Sequence, residues 1–142
     1  MSMKTCKPNK PKIAITTGYM FLILATSLVP DFSISGSKFI SELRQYIQNL
    51  LHIPMFFILS VLFLQIMRNY DIGKWKAGFL SFSFCCIFGI LNEIIQNFIP
   101  GRYMQLIDIG SNSIGAIIGI IVYFLVEKLY GLEDQSASGS AG

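Results

Sequence analysis

Two acids fall inside the long apolar blocks of this sequence, Glu93 and Asp108, and Arg102 lies in the short join between those blocks. A charge deep in hydrocarbon costs about 2.5–3.5 kcal/mol on insertion scales, so each one requires a reason. Gln96 and Asn97 follow Glu93 by three and four residues, which places them on its side of a helix. Asp108, Asn112, Gly115 and Gly119 fall at steps of four, three and four, giving a carboxylate, an amide and two glycines along one stripe. The chain's single histidine, His52, is predicted to lie level with the two acids. A guanidinium grips carboxylate or phosphate as a two-pronged fork, and an imidazole beside a carboxylate can carry a proton.

Taken singly, Asn92, Asn97 and Asn112 read as interhelical glue, since such hydrogen bonds average only about 0.6 kcal/mol in membranes. Three ionisable groups near one level exceed what packing needs. The expected ligand-binding set is therefore His52, Glu93, Gln96, Arg102, Asp108 and Asn112, with Gly115 and Gly119 serving close helix packing. A metal site would have to combine His52 with Glu93 and Asp108; neither a metal nor a cofactor is expected. A serine–histidine pair is not readable, because Ser60 lies two turns deeper than His52.

The elements that must position these residues are long apolar blocks. Residues Ile13 to Val29, Leu50 to Met67, Ala77 to Ile99 and Leu106 to Val126 each run about 17–23 residues, close to the roughly 20 that a helix needs to cross a bilayer. Backbone groups in lipid must be bonded within the segment, so helices rather than strands are expected. The expected fold is an all-α integral membrane bundle of four transmembrane helices, with its buried polar residues near one face. Pro100-Gly101 suits a type II turn, which makes the third and fourth spans antiparallel neighbours.

Lysine and arginine set the orientation. Lys4, Lys7, Lys10, Lys12, Arg68, Lys74, Lys76 and Lys128 fall on one side, against Lys38, Arg44 and Arg102 on the other. Both termini are thus expected in the cytoplasm, with His52, Glu93 and Asp108 toward the outside. Tyr70, Trp75 and Tyr130 would mark the inner interface and Tyr103 the outer one. In the first outer loop, Phe39, Leu43, Tyr46, Ile47 and Leu50 recur at helical spacing, predicting a short helix along the membrane surface.

Composition agrees with this class. Hydrophobic residues make up 53% and charged residues 13%, about half the charged share of a soluble domain. No basic stripe with interleaved aromatics is present, which excludes a nucleic-acid reading. Cys6, Cys85 and Cys86 have neither disulfide nor zinc spacing. The organisation is a basic tail over residues 1–12, a transmembrane domain over 13–130, and a disordered Ser/Gly/Ala-rich tail over 131–142 that reads in part as an appended linker. The apolar run after the first lysines ends at Pro30-Asp31 without a small-residue cleavage pattern, so it reads as a retained span.

Glu93-Ile-Ile-Gln96-Asn-Phe-Ile-Pro100-Gly101-Arg102, followed by Asp108-Ile-Gly-Ser-Asn112-Ser-Ile-Gly115-Ala-Ile-Ile-Gly119, resembles the signature of the VanZ-like family of bacterial membrane proteins. Leu-Leu-His52-Ile-Pro54 is similar to the family's second-span motif. Many members carry Asp-Lys just before that histidine, where this chain has Gln48 and Asn49, so no role for that pair transfers. The resemblance implies a multi-pass protein of the bacterial cytoplasmic membrane, in a family whose founding member is associated with low-level teicoplanin resistance.

The first functional expectation is a non-enzymatic envelope protein, contacting membrane lipids. Its outward pocket would bind a lipid headgroup, a lipid-linked wall precursor or a lipoglycopeptide. The second is a membrane enzyme acting on a lipid headgroup, with His52 or Glu93 as general acid or base, Arg102 stabilising a developing anion and Asp108 beside them. A small transporter is the third, disfavoured because polar groups confined to one half give no continuous path.

Overall fold

A computed structural model describes residues 9–28, 38–70, 72–100 and 105–130, with side chains in the second stretch from Tyr46 onward. These residues form four α-helices: α1 (Lys10–Ser27), α2 (Lys38–Asn69), α3 (Lys74–Gln96) and α4 (Leu106–Leu129). No strand occurs among the described residues. Contacts between helices set the directions. Tyr19 meets Met55 and Lys12 meets Asn69, so α1 runs antiparallel to α2. His52 meets Asn112 and Arg68 meets Glu127, so α2 and α4 run parallel. Gly89 lies against Asn112 and Gly78 against Phe124, so α3 runs opposite to α4.

Each boundary has a local cause. Asn9 caps α1 by accepting from the Lys12 amide at 3.4 Å, and a proline follows in the first turn, where its missing N–H costs nothing. Beyond the α3 C-cap, Asn97, the amides of Phe98 and Ile99 close onto the Ile95 and Gln96 carbonyls. Pro100 then has no N–H with which to continue the helix. At α4, extended Gln105 is the N-cap and Asp108 sits in the first turn, where helix-end amides favour a negative charge.

One helix differs from expectation. The segment predicted to form a separate surface helix is helical, but it continues into the second span as one 32-residue element. No Gly or Pro lies between Lys38 and Ile53 to break it. At 1.5 Å per residue α2 is about 48 Å long, well beyond a hydrocarbon core of about 30 Å. Pro54, inside the helix, removes the amide that would bond the Leu50 carbonyl.

Among the described residues three segments are long and apolar enough to cross a membrane: Tyr46–Asn69, Lys74–Gln96 and Leu106–Leu129. Helix α1 is not among them, because Lys10 and Lys12 open it and Thr16, Thr17 and Tyr19 dilute its centre. The burial pattern is that of a lipid-facing bundle. On α3 the inner face is Ala77, Gly78, Ser81, Cys85, Gly89, Asn92, Glu93 and Gln96 with Phe88, while Phe79, Ile87, Leu91 and Ile94 face outward. On α4 the inner face is small or polar, and Ile107, Ile114, Ile121 and Leu125 are exposed. Small and polar residues between helices, with large aliphatics outside, suit packing in lipid.

The apolar core joins all four helices through Ile23, Phe56, Leu59, Cys85, Phe88 and Ala116. Gly115 and Gly119 lie against the α2 backbone. A Cβ on Gly115 would collide with the Ile53 carbonyl oxygen, and one on Gly119 would collide with Ser60 Oγ and lie 2.6 Å from the Phe57 oxygen. Ser60 keeps its hydroxyl compact by donating to Phe57 O at 2.8 Å.

Candidate functional site: a buried His–Glu–Asp cluster

His52 on α2, Glu93 on α3 and Asp108 on α4 converge. One imidazole nitrogen and one oxygen from each carboxylate lie within 4.8 Å of one another, and all three side chains are buried. The close approach of α2 and α4 at Gly115 brings His52 and Asp108 to one height. Glu93 arrives from the end of α3, one turn before the chain reverses.

Asn112 holds the imidazole. Its Oδ1 lies 3.0 Å from His52 Nδ1 and can only accept, so Nδ1 carries a hydrogen. Asn112 is in turn pressed onto Gly89: a Cβ there would lie 2.9 Å from Asn112 Nδ2 and 3.3 Å from the Phe56 ring. The Phe56 and His52 rings are 6.4 Å apart between centroids. A side chain at position 89 would thus have to displace the amide that orients the histidine.

The charges in this cluster cannot stand as two bare carboxylates. At 4.8 Å and an effective dielectric of about 20, two negative charges repel by about 3.5 kcal/mol, and more in a drier setting. The helix ends bias the pair unequally. Asp108, in the first turn of α4, faces a positive helix end, whereas Glu93, in the last turn of α3, faces a negative one.

Of the six expected ligand-binding residues, His52, Glu93, Asp108 and Asn112 come together. Gln96 is buried one turn from Glu93 with no protein partner for its Nε2. Asn92 is likewise buried, with neither amide atom bonded by protein. Asn97 is exposed. Arg102, Tyr103 and the Gly101 turn position lie outside the described residues. Above the cluster, Asn49 Nδ2 donates to Gln105 Oε1 at 3.5 Å, bridging α2 and the start of α4.

The expectation that buried polar groups keep to one face requires correction. At the opposite end Glu127 is buried and accepts from Arg68 Nε at 3.1 Å and Nη2 at 2.9 Å. Arg68 also donates to the Ile72 carbonyl, and Lys12 Nζ donates to Asn69 Oδ1 at 3.1 Å. Beside them is a crevice of about 480 Å³, lined by Lys12, Gln65, Tyr123 and Glu127 at its polar end and by Phe57 and Val61 deeper in. Glu127 falls one residue past Val126, where the fourth span was expected to stop. Extending the stripe of Gly119 by two further steps of four reaches Tyr123 and then Glu127, and that signal was available.

Fold and site together define an α-helical membrane-type bundle with a buried acid–histidine cluster where α2, α3 and α4 meet. The VanZ/LLP1 family matches residues 5–127, and the chain belongs to that family. No curated protein and no solved structure matches it.

Proposed function

We propose that this protein is a multi-pass component of the bacterial cytoplasmic membrane that binds the polar head of an envelope amphiphile at the outer leaflet. The candidates are a lipid headgroup, a lipid-linked wall precursor or a lipoglycopeptide of the teicoplanin type. The observation that carries this reading is the convergence of His52, Glu93 and Asp108 at one end of three apolar helices. Orientation rests on charge. Arg68, Lys74, Lys76 and Lys128 gather at the other end with exposed Tyr70, Trp75 and Tyr130, as expected of a cytoplasmic interface. In this reading α1 is the fourth span, both termini are cytoplasmic, and the first turns of α2 reach past the core into the outer interface. Arg102, which falls between α3 and α4 in the sequence, would supply the fork for phosphate or carboxylate.

The test is a host whose teicoplanin susceptibility changes when the chain is expressed. His52→Ala and Arg102→Ala are expected to remove that change at equal membrane abundance. Undiminished protection from both variants would overturn the reading. A second reading, acid–base catalysis on a headgroup, is favoured by the same proximity of imidazole to carboxylates. It differs in requiring that purified protein convert labelled envelope lipid.

A further inference from the structure

We infer that His52, Glu93 and Asp108 form a site for one divalent transition-metal ion of the zinc or manganese class. Three helices far apart in sequence deliver one nitrogen and two oxygens to within 4.8 Å of each other in a buried setting. Imidazole with two carboxylates is a donor set that suits such ions, and a 2+ charge matches two carboxylates with a neutral ring. Ligand atoms around a tetrahedral zinc stand about 3.4 Å apart, so an ion needs only modest inward rotation of these side chains.

The surroundings meet the further demands of a metal centre. A ligating histidine normally donates its other ring N–H to a fixed acceptor, and Asn112 Oδ1 fills that role for Nδ1. An ion in the cluster would then be ligated through Nε2. Gln96, buried on the same side of α3 as Glu93, keeps an Nε2 hydrogen that no protein atom accepts. A water or oxyanion on the ion's open position would take it. Asn92 adds a second buried amide with the same need.

This inference does not depend on which amphiphile the protein binds, and it is tested without one. The full chain, purified in detergent and stripped with chelator, is equilibrated with Zn²⁺ or Mn²⁺, and bound metal is counted by mass spectrometry. About one ion per chain is expected, with His52→Ala and Asp108→Asn retaining less than roughly a tenth of it. Asn112→Ala is expected to weaken binding about 10–100-fold, as loss of an outer partner does elsewhere. Glu127→Gln, at the far end of the bundle, keeps full occupancy. Wild-type protein loaded with Co²⁺ gives a reading that no variant's folding can confound: visible d–d bands without a thiolate charge-transfer band, since Cys85 and Cys86 take no part. Wild-type occupancy below a tenth with both ions, full occupancy in the His52 and Asp108 variants, or a thiolate band would each overturn the inference.

Discussion

His52 and Glu127 show how differently one buried ionisable residue can be supported. His52 is held through Asn112, so its orientation depends on a neutral amide that is itself held against Gly89. Glu127 depends on a charge: Arg68 reaches one of its oxygens through two nitrogens. Removing one member of a buried pair leaves the other charge without compensation. Arg68→Ala is expected to destabilise the protein by about 3 kcal/mol, near the low end for buried pairs because Arg68 is itself about a quarter exposed. Thermal unfolding in detergent measures this, and Arg68→Ala with Glu127→Gln should recover much of the loss. A single and a double variant of equal stability would mean that the pair does not hold α2 to α4. At this scale the sequence was half legible. Helical spacing placed Glu93, Asp108 and His52 at one height, but height is not direction. That the three point at one another depends on how the helices are rotated, which no spacing within one helix determines. Glu127 was missed because the span was closed at Val126, although the four-residue stride through Gly119 continued to it.

Helix α4 is the element on which the site depends most, since it carries Asp108, Asn112 and both close-contact glycines. Gly115→Ala and Gly119→Ala each put a methyl group against α2 where there is no room. Each is expected to cost about 1–3 kcal/mol by overpacking. Gly110, with nothing within 4 Å of its would-be Cβ, is the internal control. There Ala is expected to stabilise slightly through its better helix propensity. If Gly115→Ala unfolds at the same temperature as Gly110→Ala, the close approach of α2 to α4 is wrong. Block lengths and the Pro100 stop made the ends of α1, α3 and α4 legible to within a few residues. The partner of the glycine stripe was not, because a tight turn identifies α3 as the neighbour while α2 approaches through space. The continuous α2 was missed for a similar reason: a change from amphipathic to apolar character suggested two elements, and only the lack of a breaker said one.

For the molecule as a whole, alternation of helix direction puts the His–Glu–Asp cluster and the Arg68–Glu127 pair at opposite ends. Nineteen residues of α4 separate Asp108 from Glu127, about 28 Å of helix, nearly the thickness of a hydrocarbon core. With native cysteines replaced by serine, a cysteine at Lys76 is expected to react with a membrane-impermeant maleimide only after the cells are opened. A cysteine at Asn97 is expected to react on intact cells. The reverse pattern would turn the cluster toward the cytoplasm and remove the basis for binding an outer-leaflet ligand.

The polar face of α3 also bears on biogenesis. Asn92, Glu93 and Gln96 reach the translocon before α4 has been made, although α4 supplies Asp108 and Asn112 at their level. A helix bearing that load has reason to wait beside the insertion machinery rather than partition alone. The link from Asn97 to Gln105 is nine residues long, so the last two helices are expected to enter lipid together as a hairpin with their hydrophilic seam already closed.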